Sequence, residues 1–262
     1  MEEECSQDPS CGPNCDVCCQ LPYNKDNGKL EVHHFFTNRG LWNDFKRFES
    51  LPLTAGNTIM YAGGNTHGSD GVNFMKQCPQ CVMHIYEPVP QYYASLEKVW
   101  SEHVRTNNWA VEVHQYGLGD ATKTIHLSEA DLQGQGTFGM KETERNDTKK
   151  IKLDIVDAAT AFNNVTGEDL DFFHVNCEGC EYEMLENMIN FNLHKKIKYS
   201  MNEVSHIKLT VYYLRIIQFG THYFPQVTRL TERYCKIREE LGKTHSMVYG
   251  QAFGWERWDR KT

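Results

Sequence analysis

The chain has 262 residues, of which 40% are hydrophobic, 24% charged and 12% aromatic, with a formal charge of −8. This is the composition of a globular protein with enough residues to bury a large core, and it excludes disorder as the main state. Lys and Arg are scattered rather than striped on an acidic background, which excludes a phosphate-backbone footprint and leaves no nucleic-acid partner to expect.

No apolar run approaches the roughly 18 residues of a bilayer span. The stretch "MEEECSQDPS" is acidic where a secretory signal is basic and then apolar. No membrane insertion and a cytoplasmic location are therefore expected, with the secretory pathway open if the sequence lacks its native start.

Residues 1–29 read as a flexible Cys-rich leader and residues 30–262 as a single domain. Of ten cysteines, five fall in "CSQDPSCGPNCDVCC". Cys11, Cys15 and Cys18 have the C-x3-C-x2-C spacing of an iron-sulfur ligand set, but the strand-helix barrel of such enzymes does not follow. A disulfide-bearing arm, a zinc-binding arm and a loosely packed leader stay open. Cys78/Cys81 and Cys177/Cys180 are C-x2-C pairs too far apart in sequence for spacing alone to join them in one zinc site.

From Thr58 onward strand and helix signals alternate. A strand over 58–62 runs into a glycine cluster and a helix over 69–77. A second strand at 82–86 ends in "EPVP" and leads to a helix from Gln91 to about His103. A third strand over 111–116 ends in "GLGD", and a shorter one covers 123–127. "IKLDIVDAATAF" reads as strand then helix. "LDFFHV" is a fourth core strand, followed by a helix with Tyr182, Leu185 and Met188 at helical spacing. Residues 196–204 read as a fifth strand, then a helix through "IKLTVYYLRIIQF" or "TRLTERYCKIREELG", and "SMVYGQAFGWERW" closes as a hairpin. Strands separated by helices predict an α/β domain, a mostly parallel sheet covered on both faces.

Ligands of such sheets bind outside the carboxyl ends of the strands. After the first strand, Gly63, Gly64, Asn65 and Gly68 form a G-x-N-x-x-G turn, with Asn at a place that tolerates a left-handed backbone. Glu87 ends the second strand, 19 residues beyond Gly68, where nucleoside-binding folds place an acid on the ribose hydroxyls. Gly117, Gly119 and Asp120 end the third. After the fourth, Glu178 and Glu181 open a helix, where acids also complement the helix dipole, and with His174 and Asn176 they are candidates for a reaction pocket. Glu203 and His206 follow the fifth. Each of these has a plain structural alternative; together they point to a nucleoside cofactor.

The stretches "YAGGNTHGSDG", "IYEPVPQYYASLEK", "YGLGD", "GQGTFGM", "NCEGCEYEML" and "YCKIREELGKTHSMVYGQAFGWERW" resemble the FkbM-type S-adenosylmethionine-dependent methyltransferases, in their animal branch, over roughly residues 30–260. The resemblance implies a class I methyltransferase (Rossmann-like) fold with a seven-stranded sheet, S-adenosyl-L-methionine as cofactor, and O-methylation of a small-molecule or glycan hydroxyl. It places Gly63, Gly64, Asn65 and Gly68 at the methionine part of the cofactor, Glu87 at the ribose, and Gly119 and Asp120 near the adenine. Glu178, Glu181 and His174 become the catalytic candidates.

Two positions depart from the family pattern. Tyr61 stands near the place of an aspartate, and His174-Val175-Asn176 replaces K-x-D, which removes a formal charge from any hard-cation site; no metal is assigned. Those departures keep a non-catalytic binding protein of the same fold as an alternative. A nicotinamide-dependent oxidoreductase shares the glycine turn and Glu87 and is the second alternative. Oligomeric state is left open.

Overall fold

The computed structural model describes residues 23–24, 29–30, 45–128, 150–166, 170–177, 179–193, 198–200, 208–210, 216–220, 230–250 and 255–261. The strands that build the fold are β1 (Thr58–Ala62), β2 (Val82–Tyr86), β3 (Ala110–His114), β4 (Gly117–Gly119), β5 (Lys123–Ser128), β6 (Lys150–Asp157), β7 (Phe172–Val175), β8 (Ile216–Gly220), β9 (His245–Gly250) and β10 (Trp255–Arg260). The helices are α1 (Ser69–Gln77), α2 (Pro90–Asn107), α3 (Ala158–Thr166), α4 (Glu181–Asn190) and α5 (Leu230–Gly242).

Seven strands form one sheet in the order β9-β10-β8-β7-β1-β2-β3. The pairs from β8 to β3 are parallel, and β10 runs antiparallel between β8 and β9. Counted along the chain, the order is 3-2-1-4-5-7-6, and this is a class I methyltransferase fold. A second, three-stranded sheet has the order β4-β6-β5.

Burial explains why the central segments are strands. β7 and β8 are buried at every position and β1 at four of five, as continuous apolar runs must be when helices cover both faces. One face packs Ile59, Tyr61, Met83 and Ile85 against Phe74 and Met75 of α1 and Leu96 and Trp100 of α2. The other packs Met60, Phe173, Val175, Ile217 and Phe219 against Tyr182 and Leu185 of α4 and Tyr234 of α5. The edge strand β3 has no fully buried residue.

The strands expected at 58–62 and 82–86 and the helix at 69–77 stand where the pattern put them. α2 extends beyond its expected end because Asn108 adopts the left-handed conformation (φ 55°) and its N–H closes on Val104 O. The fifth core strand is corrected. Its place is taken by Ile216–Gly220, while Lys198–Ser200 pairs antiparallel with Lys208–Thr210 in a separate two-stranded unit. A short apolar run has no periodicity to separate buried strand from buried helix, and "RIIQF" is such a run. The helix "TRLTERYCKIREELG" is realised as α5, and β9 and β10 form the closing antiparallel pair. Apart from the short pairing of Tyr23–Asn24 with Lys29–Leu30, the leader lies outside the described residues, as do Glu203 and His206. No helix among the described residues is long and apolar enough to cross a membrane.

Candidate active site

The chain leaves β1 toward β2 and β3 on one side and returns to β7 on the other, so the carboxyl ends of β1 and β7 form the topological switch point. A cavity of about 640 Å3 opens there, of a size that holds a cofactor. Gly63, Gly64, Asn65, Gly68 and Glu87 all line it, as do Asp70, Tyr86, Gly117, Leu118 and Asn176.

Gly63 leaves β1 at φ 89°, and its N–H donates to Tyr86 O at 3.0 Å. A Cβ here would lie 1.8 Å from the carbonyl oxygen of Asn176, so only glycine lets the ends of β1 and β7 approach this closely. Asn65 takes the left-handed conformation (φ 51°), as the turn pattern predicts, and its backbone N–H donates to Glu87 Oε2 at 2.7 Å. Glu87 Oε1 accepts from Val89 N–H at 2.9 Å. The turn after β1 and the acid after β2 are thus one hydrogen-bonded unit. Burial pushes the Glu87 carboxyl up to about 7, against these two backbone hydrogen bonds.

Behind the cavity lies a polar network of which sequence reasoning found His174 and missed Asp70, Gln218 and Arg47. His174 is fully buried on β7; its Nδ1 faces Gln218 Oε1 at 2.9 Å and its Nε2 faces Asp70 Oδ2 at 3.1 Å. Gln218 Nε2 donates to the Arg47 carbonyl at 2.8 Å. Arg47 Nη2 donates to Asp70 Oδ1 at 2.8 Å, and its guanidinium lies 3.8 Å from the Trp255 ring centroid. That indole also stacks on His174 at 5.3 Å and 10°. Burial pulls the His174 pKa down, with Asp70 opposing it. Burial also opposes ionisation of Asp70, yet hydrogen bonds from His174 and Arg47 hold its carboxyl below the ordinary range.

Asp70 borders the cavity and His174 does not; the imidazole meets the lining through Asp70, to which it is hydrogen-bonded, and through the rings of Tyr61 and Trp255. Asp70 also brings a carboxylate to the cavity that Tyr61 lines. An acid in the first turn of α1 reads as a helix-dipole partner, so the signal for Asp70 was present but unspecific.

Glu181 sits at the start of α4, fully buried, with Oε1 accepting from Cys177 N–H at 3.1 Å and Oε2 from Gly179 N–H at 2.6 Å. Its carboxylate holds the loop that leaves β7 and does not border the cavity. Glu178, between those two N–H groups in sequence, lies outside the described residues. The cavity-lining Cys177 and Cys180 are joined by a disulfide, and Cys78 and Cys81 by another. Each C-x2-C pair therefore closes on itself, which excludes one zinc site shared between them.

Gly119 and Asp120 do not border the cavity: Gly117 and Leu118 of the same strand do, while Asp120 Oδ1 accepts from Lys123 Nζ at 2.9 Å and its carbonyl from Asn187 Nδ2 at 2.9 Å. The structure brings the glycine turn, Glu87 and the Asn176 strand end together. Glu181, His174, Gly119 and Asp120 do not border the cavity.

The strand order defines a class I methyltransferase architecture, with a cavity at its switch point. No family model matches the sequence, and no curated protein matches it. Among solved structures, the methyltransferase FkbM from Methylobacillus flagellatus KT is similar over 82% of this chain at 11% identity with a TM-score of 0.48, and this chain spans 46% of its length. Precorrin-6y C5,15-methyltransferase from Geobacter metallireducens GS-15 is similar over 89% of this chain and 97% of its own at 11% identity and TM-score 0.40. Fibrillarin from Aeropyrum pernix, solved with natively bound S-adenosyl-L-methionine, is similar over 80% of this chain and 69% of its own at 12% identity and TM-score 0.40.

Proposed function

We propose that the chain is an S-adenosyl-L-methionine-dependent methyltransferase that transfers to oxygen, with a small-molecule or glycan hydroxyl as acceptor, and that it belongs with the animal branch of the FkbM-type enzymes. The observation that carries this reading is that the glycine-asparagine turn after β1 and the acid after β2 share one wall of one cavity at the switch point.

The residues present fit the cofactor. Asp70 and Glu87 suit a ligand that carries positive charge and hydroxyls. Among the described residues Asn176 Oδ1 is a buried acceptor without a hydrogen-bond partner, available to a ligand donor. Leu118, Ile125, Leu153 and Ile155 offer an apolar wall to a flat ring. In this reading Gly63, Gly64, Asn65 and Gly68 hold the methionine part and Glu87 the ribose. Gly117 and Leu118 take the adenine end, with Gly119 and Asp120 fixing their strand.

The cofactor supplies an electrophilic methyl group on a sulfonium. The chain has to orient the acceptor, exclude water and take the hydroxyl proton, which an aliphatic alcohol gives up reluctantly. We assign proton removal to Glu178, with Glu181 holding the N–H groups on either side of it and His174 positioning Asp70.

Isothermal titration of the purified chain with S-adenosylhomocysteine tests the cofactor. Saturable binding, displaced by S-adenosylmethionine and not by NAD, is expected, and displacement by NAD would favour the oxidoreductase. Absence of binding by both the thioether and the sulfonium overturns the proposal. Glu178→Gln is expected to keep binding and abolish transfer; binding with no transfer to any hydroxyl acceptor in a small-molecule and glycan panel would favour the non-catalytic alternative.

A further inference from the structure

On the sheet's other side from α1 and α2, at its β3 edge, three side chains that the cofactor site does not use converge. Parallel pairing sets His84 opposite Glu112 and Tyr86 opposite His114, and strand alternation turns His84, Glu112 and His114 to one face. His84 Nδ1 faces His114 Nε2 at 3.1 Å and Glu112 Oε2 at 3.5 Å, and Glu112 Oε1 is 3.9 Å from His114 Nδ1. The two imidazole side chains are 12% and 13% exposed, whereas that of Glu112 is 66% exposed, so the cluster is walled on the histidine side and open on the carboxylate side.

Two ring nitrogens this close share either one proton or one cation. Around a tetrahedral zinc ion, ligands at about 2.0–2.1 Å stand about 3.4 Å from each other. The observed 3.1 and 3.5 Å bracket that spacing, and one ligand atom from each of the three residues lies within 4.8 Å of the others. We propose that His84, Glu112 and His114 form a binding site for a divalent first-row transition-metal ion, zinc in the tested case, with a fourth coordination position open to solvent.

The donor set supports that class of ion. Two imidazoles and one carboxylate suit zinc or copper, whereas magnesium and calcium prefer oxygen alone. Burial lowers the pKa of both histidines, which favours the neutral form that ligates a metal. The His114 ring is further fixed by stacking on Tyr86 at 4.7 Å and 13°. Its backbone carbonyl accepts from Glu87 N–H at 3.1 Å. A bound ion would therefore tie the edge strand to β2 directly beneath the acid of the cavity, and this brace is independent of which cofactor the cavity takes.

The test uses the full chain, with disulfides intact, stripped by chelator. Zinc titration of the wild type is expected to show one ion more than a His84→Ala/His114→Ala double variant, with Glu112→Gln weakening that ion about ten-fold. Zinc should raise the thermal midpoint of the wild type and leave that of the double variant unchanged. Copper(II) bound to the wild type should show hyperfine splitting from two imidazole nitrogens, a readout that needs no variant and separates this site from thiolate ligands elsewhere. Equal stoichiometry in wild type and double variant, or a copper spectrum without two nitrogens, overturns the proposal.

Discussion

Glu87 ends β2 with each carboxylate oxygen taken by a backbone N–H and its pKa pushed up to about 7 by burial. In the proposed complex the ionised form accepts the ribose hydroxyls, so binding draws off a proton wherever the free group still holds one. Affinity for S-adenosylhomocysteine is then expected to fall below about pH 7 by up to ten-fold per pH unit. Glu87→Gln should flatten that profile and weaken binding at about pH 8 by roughly 10- to 100-fold, the cost of losing hydrogen bonds to a charged group. Titrations across pH check both, with thermal midpoints as the folding control; an affinity that stays flat with pH in the wild type removes Glu87 from the site. Gly63, Asn65 and Glu87 were legible in the sequence because a tight turn and a strand-end acid are local patterns. Arg47 and Trp255 were not: they meet through a cation–ring contact between residues more than 200 positions apart, and no local pattern records it.

At the scale of elements, most of the sheet was readable and one strand was not. β1, β2 and β7 are bounded by glycine, proline or asparagine turns, whereas Ile216–Gly220 ends in a glycine but follows a long apolar stretch with no such residue to mark its start, and pairing with β7 and β10 makes it a strand. The segment between β7 and α4 shows the converse. Its C-x2-C spacing was visible, but whether the thiols bind metal, pair across the chain or pair locally depends on geometry alone. The Cys177–Cys180 disulfide closes the loop whose N–H groups Glu181 holds, beside the cavity. Loop-closure entropy for so short a ring gives about 2 kcal/mol of stability. Cys177→Ser/Cys180→Ser should lose about that much in urea unfolding and also weaken S-adenosylhomocysteine binding several-fold. Cys78→Ser/Cys81→Ser, remote from the cavity lining, should lose similar stability with binding unchanged. Equal effects of the two variants on binding would show that the Cys177 loop has no special tie to the site.

Across the whole molecule, two buried acids set the response to alkali. Glu256 on β10 is fully buried, accepting from the Tyr234 hydroxyl of α5 and from Trp258 Nε1 at 2.7 Å, and burial pushes its carboxyl up to about 8 despite the Trp258 hydrogen bond. With Glu87 at about 7, the folded chain holds protons that the unfolded chain has released above the ordinary value of 4.5. A raised folded pKa contributes stability that is complete below the unfolded value and is lost as pH rises through the folded one. His84, His114 and His174 act oppositely: burial lowers their folded pKa, so they favour folding as pH rises toward 6.5 and add no further change above it. The two trends separate near pH 6.5, and above it the acids dominate among the described residues. Unfolding free energy is therefore expected to fall between about pH 6.5 and 8.5, by up to about 1.4 kcal/mol per pH unit for each proton, and then level off. Glu256→Gln keeps the side chain's size and one acceptor and should remove the part of that fall that continues from about pH 7 to about pH 8, making the variant relatively more stable at about pH 9 than at about pH 6. Urea unfolding at a series of pH values measures this, and a wild-type curve that stays level or rises over that window would show that the carboxyl of Glu256 is ionised in the folded core.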